Sequence, residues 1–599
     1  MNGYTGHTLW VDLTRGTTTV AATDDQALKM VLGGRGLGIA LLTKLAPVGV
    51  DPLAPENPLI LATGPYTGSG VFSAFFNVTT KSPLTGLAAA SHCGGKWGPA
   101  FKRSGFDALV ITGAAARPCY LVLENGRAAL KDADHLWGLG TLATEAKLKA
   151  DHDGAEVACI GPAGENLVKF ATLMNSHRAA GRGGVGAVMG SKKLKAIVVK
   201  GRIGTDIFNK EKLKAISSQG GKKAMEVAQA FAKFGSSIAF DFFNAKHTLP
   251  TRNFRGGHFP DGSLINAQAL KDKYFVKDRG CLTCPLKCGN VHQVKDGPYK
   301  LEEVEGPEYE TLMSFGSNCG NSNLESILMA NLLCNDLGMD TITCGNIFAW
   351  LMDLQESGII TADDLDGTAM KWGQHESMLA LIPKIAARQG IGNLLAEGSY
   401  RAAARWGPSA LARVIHAKKQ EYPGYESRRS FGTGFSLATS SRGACHLRAQ
   451  LYVNELFVGE FQEKGFEAHM DTLLDKEHFL AIADSLLTCK FGMRNAGYTW
   501  PVLTDLHNAL TGADLKIEDL KRIGERIWTL ERLYNLREGV EEDMLPSRFF
   551  AEDLADEQPG GDRIDKDRFV AARRMYYQAR GWDLLGRPEA QKLLELGLA

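Results

Sequence analysis

The sequence predicts an α+β chain in which a β-rich N-terminal part is followed by two mainly α-helical ones. Up to about residue 205, short apolar or alternating runs recur between loops dense in Gly, Ser, Thr and Pro. From about 207 onward, apolar residues return at three- and four-residue spacing, the period of a helix with one buried face. A polar break at Lys200–Asp206 and turn-rich stretches at Arg405–Arg413 and Tyr422–Gly434 divide the chain into 1–205, 206–415 and 416–599. The length of 599 residues agrees, because it exceeds what one hydrophobic core spans.

In chain order, strands are expected at His7–Leu13, Pro58–Ala62, Phe76–Thr80, Ala108–Thr112, Tyr120–Leu123 and Ala196–Lys200. Helices follow at Lys210–Phe234, Leu324–Leu337, Ile347–Ser357 and Met378–Arg388. Two more, Ile517–Gly539 and Arg568–Arg580, are laced with charge and read as scaffold.

Composition removes several function classes. A formal net charge of +1 leaves no basic field for nucleic acid. No run of eighteen uncharged apolar residues is present, so no membrane span is expected. The N-terminus lacks a basic and then apolar leader and a twin-arginine signal, which makes the cytoplasm the expected compartment. Eleven scattered cysteines, an odd number, argue against a disulfide framework. Glycine stands at about 11%, above the usual 7%, and implies many turns and close backbone approaches.

The densest chemistry is Cys281-Leu-Thr-Cys284-Pro-Leu-Lys-Cys288, three thiols in one loop bent by Pro285 and Gly289. Such crowding fits an iron–sulfur cluster whose fourth ligand comes from elsewhere, since zinc favours paired C-x-x-C halves. Three buried or disulfide-bonded cysteines are the plainer alternative. Two glycine-rich loops, Ser91-His-Cys-Gly-Gly-Lys-Trp-Gly98 and Asn175-Ser-His-Arg-Ala-Ala-Gly-Arg-Gly-Gly-Val-Gly186, offer main-chain N–H groups and forked guanidinium donors to a large anion. Surface loops with incidental arginines are their plainer reading. Neither fits a phosphate-binding G-x-x-x-x-G-K-S/T loop or a dinucleotide-binding turn, and Gly33-Gly-Arg-Gly-Leu-Gly38 is equally weak alone.

Taken together, the blocks Thr80-Lys-Ser-Pro-Leu-Thr-Gly86, Ile160-Gly-Pro-Ala-Gly-Glu-Asn166, His177–Gly184, the cysteine loop, Glu305-Gly-Pro-Glu-Tyr-Glu310 and Ile523-Gly-Glu-Arg-Ile-Trp528 resemble the tungsten-dependent aldehyde ferredoxin oxidoreductases. The resemblance runs from Val11 to Trp582. It implies a β-rich N-terminal domain cradling a tungsten or molybdenum ion held by two molybdopterins, with two helical domains above and a 4Fe–4S cluster beside one pterin. The cluster ligands would be Cys281, Cys284, Cys288 and, from Asp484-Ser-Leu-Leu-Thr-Cys489, Cys489. The pterin contacts would be Gly94, Arg178, Ala179, Gly181, Arg182, Asn335, Met339, Asp340, Arg448, Asp484 and Thr488. Glu310 and His446 would line the substrate pocket and handle protons, a carboxylate and an imidazole beside a redox centre.

Some positions depart from the family pattern. Phe75 stands where the family has an arginine, and His92 where an asparagine helps hold Mg2+ between the pterins, although Ala179, whose carbonyl serves that ion, is kept. Leu487 replaces a glycine, and Asn335 an aspartate, in the two pterin motifs. Met329 and Leu332 replace the E-x-x-H pair of the archaeal dimer-bridging iron, so an iron-bridged homodimer is not expected. The resemblance thus implies aldehyde oxidation with electrons leaving to ferredoxin or an iron–sulfur subunit, in a hetero-oligomer. Two alternatives are a ring-reducing subunit of the benzoyl-CoA reductase type and a cofactor-binding paralogue without turnover.

Overall fold

The computed structural model describes residues 1–461, 464–540, 542–556 and 562–599. Twelve strands form two six-stranded mixed sheets in the first 200 residues. The first contains β1 (His7–Asp12), β2 (Thr17–Ala22), β3 (Leu59–Ala62), β4 (Phe76–Lys81), β5 (Ala88–Cys93) and β6 (Ala108–Thr112), in the order β2-β1-β6-β3-β4-β5. The second contains β7 (Cys119–Glu124), β8 (Arg127–Asp132), β9 (Glu156–Cys159), β10 (Leu173–Asn175), β11 (Arg178–Ala180) and β12 (Leu194–Lys200), in the order β11-β10-β9-β12-β7-β8. All six strands expected from the sequence are present. Of the other six, β9, β10 and β11 are short, β2 and β8 lie on exposed hairpins, and β5 is buried along nearly its whole length without β-branched residues or alternation. The β7–β8 register is set by Asn125-Gly126, both at positive φ, the two-residue turn that matches strand twist.

The sheets share one core, with Leu9, Leu59 and Phe76 of the first packed with Leu121 and Ile197 of the second. Trp97 is fully buried between them and donates its indole N–H to Ile197 O at 3.0 Å. The edge strands β5 and β11 pack against one another, which brings the two glycine-rich loops together. Arg182 N donates to Ser91 Oγ at 3.4 Å across this seam.

The remainder is helical, with five short strands among the described residues, in one three-stranded and one two-stranded sheet. Leu324–Leu337 begins at Asn323, whose side chain accepts from Ser326 N, and stops at Gly338 in the left-handed region. The expected Lys210–Phe234 helix is split into Lys210–Val227 and Gln229–Phe234, because Ala228 leaves helical dihedrals to bury itself against the core. Phe240, Trp350, Tyr422 and Trp582 belong to one apolar cluster, which therefore runs across residue 415. Each such side chain contributes about 1.5–3 kcal/mol on burial. Met329 and Leu332 pack against this cluster. Among the described residues, no helix is long and apolar enough to cross a membrane.

Candidate active site

The glycine run at 33–38, weak as a motif, has a structural purpose. It opens the helix Gly34–Leu45 against the C-terminal end of the helix Met470–Leu486. A Cβ at Gly34 would lie 2.5 Å from Asp484 O, and Gly36 N donates to Ser485 Oγ at 3.1 Å. This approach buries Arg35 completely, its guanidinium 5.2 Å from the centre of the Trp528 ring. Arg35 grips Glu531 through two bonds of 2.7 and 2.6 Å and reaches Asp484 at 3.4 Å. Arg448 adds Asp484 Oδ2 at 3.0 Å and Ala90 O at 3.0 Å, and Lys490 Nζ meets Asp484 Oδ1 at 2.7 Å. Burial alone would raise the Asp484 carboxyl, but His92, Lys490, Arg448 and Arg35 hold it far below the usual carboxylate range. The Ile517–Arg537 helix is thus more than the scaffold its sequence suggests, because it supplies Glu531.

Asp484 leads into Leu487, the position where the family carries glycine. Leu487 caps its helix with φ at +64°, a conformation that costs a branched side chain about 1 kcal/mol and that glycine adopts freely. The reversal delivers Thr488 and Cys489. Thr488 is buried, and its hydroxyl has no partner in the protein. Cys489 N donates to Phe72 O at 2.7 Å, and the Cys489 thiol accepts from Gly492 N at 3.5 Å at the start of the helix Lys490–Asn495.

Cys489 faces the cysteine loop, which is the tip of a hairpin between Phe275–Arg279 and Gly289–Val294, closed by the Arg279–Gly289 pair. Gly95 N donates to Cys281 Sγ at 3.3 Å, and a Cβ at Gly94 would lie 3.0 Å from the same sulfur and 3.2 Å from the Phe75 ring. Gly94 is therefore an approach point for the thiol. Burial, then neighbouring thiols Cys284 and Cys281, push Cys489 up to about 12. Cys288 is also raised well above its ordinary value, by burial first, with Cys489 and Cys281 adding to it. Cys281 neighbours Cys284, Cys288 and Cys489 alike, so the four thiols lie together as ligands of one cationic core would. Among the described residues, no three His, Cys, Asp or Glu side chains converge tightly enough for a single ion.

The other half of the site is Glu310 and His446. Glu310 lies in the first turn of the helix Tyr309–Phe315 and accepts from Gly424 N at 2.9 Å. Its Oε1 stands 3.5 Å from His446 Nδ1, too long for an aligned hydrogen bond, and both atoms are buried without a partner. Burial pushes Glu310 up to about 7. Burial, then Arg182, Arg442 and Lys490, drive His446 well below its ordinary value. The Tyr425 ring lies 5.5 Å from the imidazole and stacks on Tyr452 at 4.6 Å.

The arginines of the second loop part company. Arg182 is buried and meets Asp340 at 3.1 Å, Ala444 O at 2.8 Å and Glu421 O at 2.6 Å. Asp340 also caps the helix Thr341–Glu356, accepting from Ile342 N and Thr343 N. Arg178 instead meets Glu305 at 2.5 Å and Glu308 at 3.5 Å, near the cysteine hairpin rather than Arg182's partners. Ala179 sits on β11 opposite Met174, with Gly181 just beyond the strand. Met339 is buried and bridges Ala171, while Asn335 O accepts from Thr141 Oγ1 at 2.9 Å. His92 on β5 faces Asp484 Oδ1 at 3.7 Å and Asn77 Nδ2 at 3.4 Å.

Sequence reasoning missed Arg35, Glu531, Arg442, Cys445 and Lys490. Arg442 donates to Ala90 O at 2.8 Å and to Cys445 Sγ at 3.0 Å. Burial would raise Cys445, yet Arg442, Arg448 and Lys490 bring it down to about 7. A legible signal existed only for Cys445 and Lys490, which adjoin His446 and Cys489 in the chain, and for Arg442 four residues before His446. Around the site, Arg35, Arg182, Arg442, Arg448 and Lys490 are set against Asp340, Asp484, Glu531 and the buried Glu421, an excess of cations in a poorly hydrated space. That excess, with the unpartnered Thr488 hydroxyl and Arg448 Nε, fits an anionic cofactor that offers hydrogen-bond acceptors.

Comparison with known proteins shows the family. Residues 8–201 match the family model "Aldehyde ferredoxin oxidoreductase, N-terminal domain", and 212–598 match "Aldehyde ferredoxin oxidoreductase, domains 2 & 3". The chain is 38% identical to the tungsten-containing aldehyde ferredoxin oxidoreductase of Pyrococcus furiosus, over all of both chains. It is 31% identical to the WOR-like subunit of an aliphatic sulfonate oxidoreductase from the same organism, covering all of this chain and 97% of that one. A solved structure titled as the active site complex BamBC of benzoyl coenzyme A reductase superposes with a TM-score of 0.85 at 24% identity, covering all of this chain and 97% of that one, a likeness of fold. With its whole length matched, the chain belongs to the aldehyde ferredoxin oxidoreductase family and is an oxidoreductase.

Proposed function

We propose that this protein oxidises aldehydes to carboxylic acids at a tungsten, or molybdenum, bis-pterin centre. Electrons leave through a 4Fe–4S cluster to ferredoxin or an iron–sulfur subunit. The observation that carries this reading is the meeting of two remote segments. The hairpin tip with Cys281, Cys284 and Cys288 faces Cys489, which ends the same short motif that begins with Asp484. In this reading residues 1–205 cradle the cofactor, 206–415 bring three cluster ligands with Glu310, and 416–599 bring the fourth with His446.

When bound, the metal centre would accept two electrons from the aldehyde and the cluster would relay them singly. Asp484 and Thr488 would meet pterin ring nitrogens, and Arg182, Arg448 and Lys490 would offset the cofactor's negative charge. His92 and the Ala179 carbonyl, at the seam of the sheets, are the residues to which a Mg2+ between the pterins would fall. Near pH 7 the Glu310 carboxyl is about half protonated, and the imidazole of His446 is neutral. A neutral imidazole can take the proton released as water becomes part of the acid product, and the carboxyl can donate to the aldehyde oxygen. The Tyr425 and Tyr452 rings close one side of this pair and keep bulk water from it.

The test is metal analysis of the purified protein together with aldehyde-dependent reduction of a viologen dye. Protein that carries tungsten or molybdenum and a cluster signal is expected to reduce the dye with aldehyde. Full loading with no aldehyde-dependent turnover would overturn the reading.

A further inference from the structure

Arg178 ends at the root of the cysteine hairpin. Its Nη2 lies 2.5 Å from Glu305 Oε1, a close charge pair rather than an aligned hydrogen bond, and its Nη1 lies 3.5 Å from Glu308. A Cβ at Gly289 would fall onto both Glu305 Oε1 and Arg178 Nη2 and lie 2.8 Å from Arg279 O, so glycine after Cys288 leaves the space that the pair fills. At its other end the arginine stem passes Gly95, where a Cβ would lie 3.8 Å from Arg178 Cγ and whose N–H holds Cys281 Sγ. One side chain therefore spans the hairpin from Cys281 to Cys288.

The surroundings leave this couple poorly screened. The Arg178 side chain is 20% exposed and that of Glu305 only 4%. Glu305 also faces Arg279 at 3.5 Å, but Arg279 is shared with Glu303, which Lys277 neutralises further out. Glu308 is half in solvent and accepts from Ser236 Oγ. Arg178 and Glu305 are thus the buried charges packed against Gly289, the residue after Cys288, one of each sign, in a low-dielectric setting where each acts strongly, with the more exposed Glu308 as a further anion beside the hairpin.

We propose that Arg178 and Glu305 form a built-in charge couple that sets the reduction potential of the cluster held by Cys281, Cys284, Cys288 and Cys489. Reducing a cluster adds one negative charge to it, so a buried cation beside it favours the reduced form and a buried anion disfavours it. Arg178 raises the potential and Glu305 lowers it. Both are positioning residues, acting through the cluster without touching substrate. The planar guanidinium fork lets one cation meet two carboxylates and still face the loop. This proposal rests on the reading of the four cysteines as cluster ligands.

Redox titration of the holoenzyme, followed by the electron paramagnetic resonance of the reduced cluster, tests it. Arg178→Gln is expected to lower the midpoint potential, by about 59 mV for a tenfold change in a one-electron equilibrium. Glu305→Gln is expected to raise it, the double variant to return near the parent, and Arg178→Lys to keep most of the parent value. This order by sign is one that a merely structural role would not produce. Two single variants that shift the same way, or that leave the potential unmoved with the cluster signal intact, overturn the proposal alone. If Arg178→Gln loses the cluster, Glu305→Gln decides, an upward shift supporting the couple and any other result overturning it. A parent protein without a cluster signal overturns the cysteine reading and this proposal together.

Discussion

Two buried polar regions of this molecule face one another and are built on opposite rules. Around Asp484 and Glu531, almost every charge has a partner, with Arg35, Arg448, Lys490 and Ser441 closing on two carboxylates. Around Glu310 and His446, a carboxylate oxygen and a ring nitrogen are buried and left without a hydrogen bond. Leaving such atoms unsatisfied costs about 1–3 kcal/mol each. A fold accepts that cost where the atoms have another task. The first region is satisfied largely within the protein; the second leaves polar atoms free for chemistry.

The sharpest way to break this contrast is to disable the open region. His446→Asn, with metal and cluster retained, is expected to lower kcat by about 10²–10⁴-fold while thermal stability stays near the parent value. Turnover within a few-fold of the parent, measured with a viologen dye, would remove the pair from the mechanism. The converse perturbation is Arg35→Met. It strips the closed region of its central cation and leaves Glu531 and Asp484 partly uncompensated, at a cost of about 3–5 kcal/mol in unfolding free energy. A drop of less than 1 kcal/mol would show that the network is not what holds the Gly34–Leu45 helix against Met470–Leu486.

Glu310 gives a third test, through pH. Its folded-state value near 7 lies above the ordinary 4.5, so between those limits the folded protein binds a proton that the unfolded chain has released. Stability therefore falls as pH rises from about 4.5 to 7, by roughly 3 kcal/mol at 1.36 kcal/mol per unit. Glu310→Gln is expected to flatten that slope and to remove an ionisation near 7 from the pH profile of its residual activity. An unchanged slope in chemical denaturation would place the proton elsewhere.

The contrast also explains what the sequence discloses. Leu324–Leu337 is readable to the residue because spacing, the Asn323 cap and Gly338 are all local signals. The cysteine hairpin is readable because three thiols lie together, and Cys489 only through its resemblance to a family motif. Arg35 and Glu531 are invisible as a pair, being 496 residues apart, each in a helix whose own period accounts for it. The glycines at 33–38 resemble a ligand loop, yet their role is close packing against the Asp484 turn. Arg178 and Arg182 share one loop, but the fold sends their side chains to different partners, which no spacing encodes.

The smallest effect belongs to Thr488, which sits on the border between the two regions. Its hydroxyl is buried one step before Cys489 and has no partner within the protein. If the oxygen exists for the cofactor, Thr488→Val removes nothing that the protein itself uses. The unfolding free energy of cofactor-free protein should then change by no more than about 0.5 kcal/mol. The holoenzyme, in contrast, should lose pterin faster on dialysis, read as metal and pterin content over time. A loss above about 1 kcal/mol in the cofactor-free protein, with unchanged retention, would assign Thr488 to the closed network and move the border of the open region away from Asp484.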